Sequence, residues 1–302
     1  MEIHQLRDFV AVASTGSFSQ AAKKCRVAQP SLSKAIQRLE AEVGEKLFIR
    51  LKRRAILTPA GEALLRRATR VLNEIEQAKR ELTETNVLQR GTVNIGVLPT
   101  IAPYFLPRVI TQFTEACPSL EVVIHEDMTA NLLKLVDACE LDLALLSLPI
   151  PEEGCEQEVL FKEELLLAVP SKHPFAVKEK VCLADLENER FILMKDGHCL
   201  GDQILSFCTK NDLRLQIMLR SSQIETIQAL VMAGLGMSLV PQMARISGRT
   251  PLVYRSLEKP TPTRTIVVIW RKGREHTRAT AEFLKHLQQS AKASRETLKT
   301  AE

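Results

Sequence analysis

Apolar positions recur at helical spacing from the first residues of the chain. Leu6, Phe9, Val10 and Ala13 fall on one face of a helix. Ser14-Thr15-Gly16-Ser17 breaks that helix, and Ser17 is placed to cap a second one carrying Phe18, Ala21 and Ala22. Gln29-Pro30-Ser31 opens a third helix, because proline is tolerated in a first turn. Its apolar side is Leu32, Ala35, Ile36, Leu39 and Val43, and Gly44 stops it. Its other side offers Ser31, Ser33, Lys34, Gln37 and Arg38. Between Leu47 and Thr58 two apolar patches flank a basic tip, the pattern of a small hairpin. Thr58-Pro59-Ala60-Gly61-Glu62 then caps a long helix running to about residue 88, striped by Leu64, Leu65, Ala68, Val71, Leu72, Ile75, Ala78 and Leu82. A lone helix of about 30 residues needs a partner for such a stripe. A helix of a second subunit is the natural candidate.

From Gly91 the pattern changes. Thr92–Val97 is strand-like, a helix follows with Leu106, Val109, Ile110 and Phe113, and Leu120–His125 reads as the next strand. A helix with Leu132, Leu133, Leu135 and Val136 leads into a strand over Leu141–Leu148. This alternation predicts an open, parallel-type sheet. Later strands are expected at Leu165–Pro170, Phe191–Met194 and Ile266–Trp270, with helices near 200–210, 223–235 and 275–290. The polar tail beyond about Gln289 is expected to fray.

Composition narrows the picture. The chain has 302 residues, which at roughly 100–200 per domain predicts two domains. Residues 1–90 hold 17 Lys and Arg against 10 Asp and Glu, whereas the remainder holds 24 against 26. A basic front on a near-neutral body suits a polyanion at one end only. No apolar run approaches the ~20 residues that span a bilayer, and no secretory signal opens the chain, so a cytoplasmic protein without membrane contact is expected. The seven cysteines are odd in number, which argues against a disulfide framework. Cys25, Cys117, Cys139, Cys155 and Cys182 are expected to be buried as small apolar groups.

The second and third helices have the order of a helix-turn-helix, in which the second of the pair enters the major groove of duplex DNA. Gln29, Pro30, Ser31, Ser33, Lys34 and Arg38 would then face base edges and phosphates, and Arg50, Arg53 and Arg54 at the hairpin tip would reach backbone or minor groove. A plain helical bundle with a polar surface fits the periodicity equally. The particular residues go further. Phe9–Val12, Gly16-Ser17-Phe18, Ala21-Ala22, Gln29–Ser33, Ile36, Leu39-Glu40, Leu47-Phe48, Arg50 and Leu57–Gly61 together resemble the LysR-type transcriptional regulators. That resemblance implies an α/β protein with a winged helix-turn-helix at 1–60, a linker and dimerisation helix at 58–88, and a two-lobed regulatory domain at 91–302 like a periplasmic binding protein. Lobe I would comprise about 91–162 plus 268–302, and lobe II about 163–267. It also implies homotetramers binding double-stranded DNA as paired dimers, contact with RNA polymerase, no catalytic activity and no required cofactor.

Most members of that family bind a small metabolite between the lobes, and this remains one reading. The segment Asp196-Gly197-His198-Cys199 supports another. A cysteine at a helix N-terminus feels the positive end of the helix dipole, so its thiol pKa is expected to fall, more so beside a protonated His198. A thiolate attacks peroxide to give a sulfenic acid, and a second cysteine can then close a disulfide. Cys208 lies nine residues on, about 13.5 Å of helical rise, whereas a disulfide needs Cα atoms within about 7 Å. If that bond forms, the helix must unwind. The Gly-His-Cys-Leu-x-Asp-Gln run and the later Phe-Cys resemble the hydrogen-peroxide sensors of the LysR family. This closer resemblance implies a peroxidatic Cys199 and a resolving Cys208, with Thr100, Thr129, Gly197, His198, Asp202 and Arg264 around the peroxide. A metal site on His198, Cys199 and Cys208 lacks a fourth ligand. A thiol peroxidase joined to a DNA-binding domain would have to refold in every turnover.

Overall fold

The computed structural model describes residues 1–51, 54–83, 91–151, 153–246, 248 and 250–300. The chain divides into two compact units, Met1–Val87 with Asp137–Glu140, and the remainder from Leu88.

The first unit contains α1 (Ile3–Thr15), α2 (Phe18–Cys25), α3 (Gln29–Val43), β1 (Phe48–Arg50), β2 (Ala55–Leu57) and α4 (Pro59–Thr83). Leu6, Phe9, Val12, Ala21, Leu32, Ile36 and Leu39 form its core. Ser17 caps α2 by accepting the Gln20 N–H. The end of α3 differs from expectation: Val43 is 43% exposed and Glu40 is buried instead. The Glu40 carboxylate accepts the backbone N–H groups of Leu47 at 3.0 Å and Phe48 at 3.4 Å. Those two donors would otherwise be buried without partners, which is why a charge displaces a valine there. β1 and β2 pair antiparallel as a hairpin. Along α4, Ala68 is buried while Val71 and Ala78 stay exposed. Its predicted end near residue 88 lies outside the described residues.

The second unit runs β3 (Gly91–Val97), α5 (Ala102–Ala116), β4 (Leu120–Glu126), α6 (Thr129–Asp137), β5 (Leu143–Ser147), β6 (Cys155–Pro170), β7 (Lys180–Val181), β8 (Arg190–Met194), α7 (Cys199–Lys210), β9 (Gln216–Ser221), α8 (Ile224–Met232), β10 (Ser238–Pro241), β11 (Leu252–Leu257), β12 (Thr263–Arg271) and α9 (Arg278–Thr300). It has two lobes with separate cores, one around Ile95, Phe113, Leu145 and Phe283, the other around Leu167, Phe191, Ile204 and Leu239. β4, β3 and β5 are parallel, as the βαβ pattern requires. β12 then pairs antiparallel with β5, so the first-lobe sheet is mixed, not parallel throughout. The cause is β6. This 16-residue strand starts ten residues before the predicted Leu165, pairs with β12 in the first lobe, and continues into the second to pair with β10 and β11. β12 runs Thr263–Arg271, starting three residues ahead of the expected Ile266. The tail does not fray at Gln289: α9 continues, with Ser290 and Ala291 buried.

Gly61 in α4 lies so close to the Leu47 carbonyl that a Cβ would collide with backbone. Gly61→Ala should therefore destabilise the first unit by about 1–3 kcal/mol in urea unfolding. A gain of about 1 kcal/mol, the helix-propensity effect alone, would show that the contact relaxes freely.

Candidate functional site

In the first unit α2 and α3 form the helix-turn-helix. Gln29, Pro30, Ser31, Lys34 and Arg38 are exposed on α3, and Ser33 is half-buried. The Gln29 side-chain carbonyl accepts the Ser19 hydroxyl at 2.9 Å. Arg54 is exposed in the hairpin, and Arg53 lies outside the described residues. Arg50 is not at the tip. Its guanidinium stacks 4.7 Å from the Phe18 ring centroid and donates to Ser33 Oγ at 3.1 Å. The Arg50 side chain thus ties the hairpin to α2 and α3.

In the second unit Cys199 is the first residue of α7, and His198 is the N-cap. Gly197 precedes them with φ +92°, a conformation that suits only glycine. The chain can therefore leave β8 and turn directly into α7. Cys199 is half-buried and packs against the first-lobe core, whereas Cys208 is buried in the second-lobe core. Nine residues at about 100° each place the two side chains half a turn apart. The two thiols thus sit in different cores as well as far apart along the helix.

Arg264 organises the surroundings. It is fully buried and sits opposite Glu163 in the β6–β12 register, with Nε donating to Glu163 Oε1 at 2.7 Å. Nη1 donates to Thr100 Oγ1 and Nη2 to the Thr100 carbonyl, both at 3.0 Å. Thr100 thus accepts through its oxygen and keeps its O–H hydrogen to donate. Glu163 Oε2 accepts the Met243 N–H at 2.8 Å, joining this cluster to the second lobe.

Burial pushes the Cys199 thiol above its ordinary pKa. The Arg264 guanidinium, the Thr129 hydroxyl and the Leu200 N–H act in the opposite direction, without overcoming it. The expected fall in this pKa is therefore reversed, because the core packing that shelters the sulfur also strips its water. Burial also holds the His198 imidazole below its ordinary value, so it is neutral near pH 7 and adds no positive charge. The Thr129 hydroxyl oxygen, buried at the head of α6, approaches the sulfur without the geometry of a full hydrogen bond. His198 Nε2 and Gln203 Oε1 are buried with no hydrogen-bond partner. Asp202 is exposed on the first turn of α7, and its charge acts on both His198 and Cys199.

Residues 3–62 match the bacterial regulatory helix-turn-helix proteins of the lysR family, and residues 87–292 match the LysR substrate-binding domain. The chain belongs to the LysR family. LysR relatives include the DNA-binding transcriptional dual regulator OxyR of Escherichia coli K12, 37% identical over 275 residues, covering 90% of each chain. The hydrogen peroxide-inducible genes activator of Dickeya chrysanthemi is 36% identical over 277 residues, again covering 90% of each. Among solved LysR structures, a full-length OxyR variant from Pseudomonas aeruginosa superposes with a TM-score of 0.76 at 30% identity, covering 95% of this chain and 98% of that one.

Three residues of this LysR site receive no role from sequence reasoning, although Gln203 closes the Gly-His-Cys-Leu-x-Asp-Gln run. Glu163 is one of two consecutive glutamates, and only its place opposite Arg264 turns it inward. Gln203 lies one turn beyond Cys199, and its Nε2 donates to Ser147 Oγ at 2.8 Å and to the Leu148 carbonyl, pinning α7 to the first lobe. Ser147 ends an apolar strand that carries no polar signal. Among the described residues, no disulfide joins any of the cysteines. Cys139 is buried as expected, while Cys25, Cys117, Cys155 and Cys182 are only half-buried.

Alkylation of Cys199, followed by mass spectrometry of its peptide, should accelerate by close to tenfold per pH unit between pH 7 and 9, as for any thiol below its pKa. Thr129→Val should slow it at fixed pH. A rate already level at pH 8 would mean that the thiol is acidic and that burial is not dominant.

Proposed function

We propose that this LysR protein is a peroxide-responsive transcription regulator, with Cys199 as the peroxidatic thiol and Cys208 as the resolving one. The observation that carries this reading is the pair of buried, unpartnered polar atoms, His198 Nε2 and Gln203 Oε1, on the residues flanking the Cys199 thiol. Each such atom costs about 1–3 kcal/mol while unsatisfied. Hydrogen peroxide is small enough to enter and offers both hydrogen-bond donors and acceptors. The names of the relatives support the same reading.

In the proposed chemistry the Cys199 thiolate attacks one peroxide oxygen. The O–O bond breaks, the leaving oxygen departs as water after taking a proton, and a sulfenic acid remains. The Cys208 sulfur then attacks the Cys199 sulfur, expelling a second water and forming the S–S bond. Arg264, Thr129 and the Leu200 N–H stabilise the thiolate, while Thr100 and Thr129 orient the peroxide. Gly197 gives access at the turn. Asp202, on the open side, moves protons to the leaving groups.

The working parts are a winged helix-turn-helix (1–60), a linker helix that dimerises (58–88) and a sensing domain (91–302). The protein acts on duplex DNA as a homotetramer and meets RNA polymerase there. The exposed Val71 and Ala78 on α4 suit a second helix.

Titration of the reduced protein with peroxide should remove two thiols per chain, and Cys199→Ser should abolish this loss. Unchanged thiols would overturn the redox reading in favour of a bound metabolite. In gel-shift titrations Arg50→Ala should weaken binding of operator DNA by about tenfold, since it frees both the hairpin and Ser33. Unaltered affinity would remove Arg50 and Ser33 from the interface.

A further inference from the structure

Asp137–Glu140, the turn between α6 and β5, belongs to the first compact unit although its chain neighbours on both sides belong to the second. Within that unit one face of α4 holds it. Arg70 Nη2 donates to both carboxylate oxygens of Asp137, at 2.8 and 2.9 Å. Asn73 Nδ2 donates to the Ala138 carbonyl, and the Cys139 thiol donates to Glu74 Oε1 at 3.2 Å. Residues 70, 73 and 74 are one helical turn apart and therefore share a face. Cys139 has a φ of +58°, a conformation that disfavours any side chain, and its contact with Glu74 helps to hold it there. Farther along α4, Glu76 accepts from Arg7 of α1 at 3.0 Å, so the same helix is tied to the DNA-binding helices.

Both elements that flank this turn end at α7. α6 begins at Thr129, whose hydroxyl lies against the Cys199 sulfur. β5 ends at Ser147, whose Oγ accepts from Gln203 of α7, as does the carbonyl of Leu148 beside it. The turn is thus the closed tip of a helix-and-strand unit whose open end grips the segment bearing the thiol. α6 has nine residues, a rise of about 12 Å from head to tip. Leu132 and Val136 on its inner face are fully buried, as is every residue of β5. Close-packed elements of this kind pass a displacement on and do not absorb it. If α7 unwinds to bring Cys199 to Cys208, the contact with Thr129 and the hydrogen bonds of Gln203 are lost in one event. The open end is released, and the tip on α4 is the other end of the same rigid piece.

We propose that α6 and β5 transmit the state of Cys199 to α4, through the grip of Arg70, Asn73 and Glu74 on the Asp137–Glu140 turn. The inference rests on the reading of Cys199 as the responsive thiol. Its first test needs no peroxide, because coupling between two places is reciprocal. In the reduced full-length protein Asp137→Asn should change the alkylation rate of Cys199 about fivefold at fixed pH. Arg70→Gln should change it by the same factor, and the double variant by no more than either, since all three break one contact. Both side chains are partly exposed, so the variants should fold. The second test follows hydrogen exchange across residues 66–79 before and after peroxide, with thiols counted in the same samples. Exchange there should rise about fivefold on oxidation of the unmodified protein. In Asp137→Asn it should be alike in both states although two thiols are still lost. Thiol loss with exchange on α4 unmoved, or moved equally in both proteins, would overturn the transmission and leave the redox reading standing. If no thiols are lost the redox reading fails, and the alkylation rates decide the coupling alone. Equal rates in all four proteins, or additive effects in the double variant, would overturn it.

Discussion

The buried pair Glu163–Arg264 stands where the two lobes share their strands. Neither side chain has any exposed surface. Such a pair is a poor source of net stability, because desolvation takes back most of the attraction. It is nonetheless hard to break, since losing one partner strands the other charge at about 3–5 kcal/mol. The hydrogen bonds around it explain why it persists. Arg264 holds both the hydroxyl and the carbonyl of Thr100 in the first lobe, and Glu163 holds the Met243 N–H in the second. One ion pair thereby sets the turn after β3 against the turn after β10, and the sulfur of Cys199 resides in the field of its positive end.

Two opposing influences meet at that sulfur. Removal from water favours the neutral thiol, while a guanidinium, a hydroxyl and a peptide N–H favour the thiolate. Burial prevails. A resting thiol of this kind is dull toward adventitious electrophiles, and the groups that would stabilise its anion are already in place without rearrangement. Under the proposed chemistry, selectivity would rest on the hydrogen-bonding groups around the sulfur more than on a permanently ionised thiolate. The neutral His198 fits the same logic, since a charged imidazole buried there would raise the cost of the site further.

Local features were readable from the chain alone. Ser17, Gly44 and the Gln29-Pro30-Ser31 opening mark helix ends by their own chemistry. Cys199 begins its helix as the pattern around Gly197 suggested. The misreadings share a non-local cause. Nothing next to Glu40 announces that Leu47 and Phe48 will need an acceptor, and nothing near Arg50 reveals that Phe18 will lie beneath it. Glu163 becomes a site residue only because β6 continues from one lobe into the other. The direction of the Cys199 pKa has the same non-local cause. The helix terminus is visible in sequence, whereas the first-lobe core that covers the sulfur is assembled from distant segments.

The half-turn between Cys199 and Cys208 has a consequence for how a chemical event becomes a message. A second thiol at position 203 would share the face of Cys199, one turn away, and could pair with it if only that turn tightened, leaving the rest of α7 in place. Such a chain would store an oxidation and transmit nothing, because its outline would not change. Placing the partner on the opposite face, in the other core, means that under the proposed chemistry the bond and the altered outline arrive together. The spacing works as a grammar in which the mark cannot be written without being read.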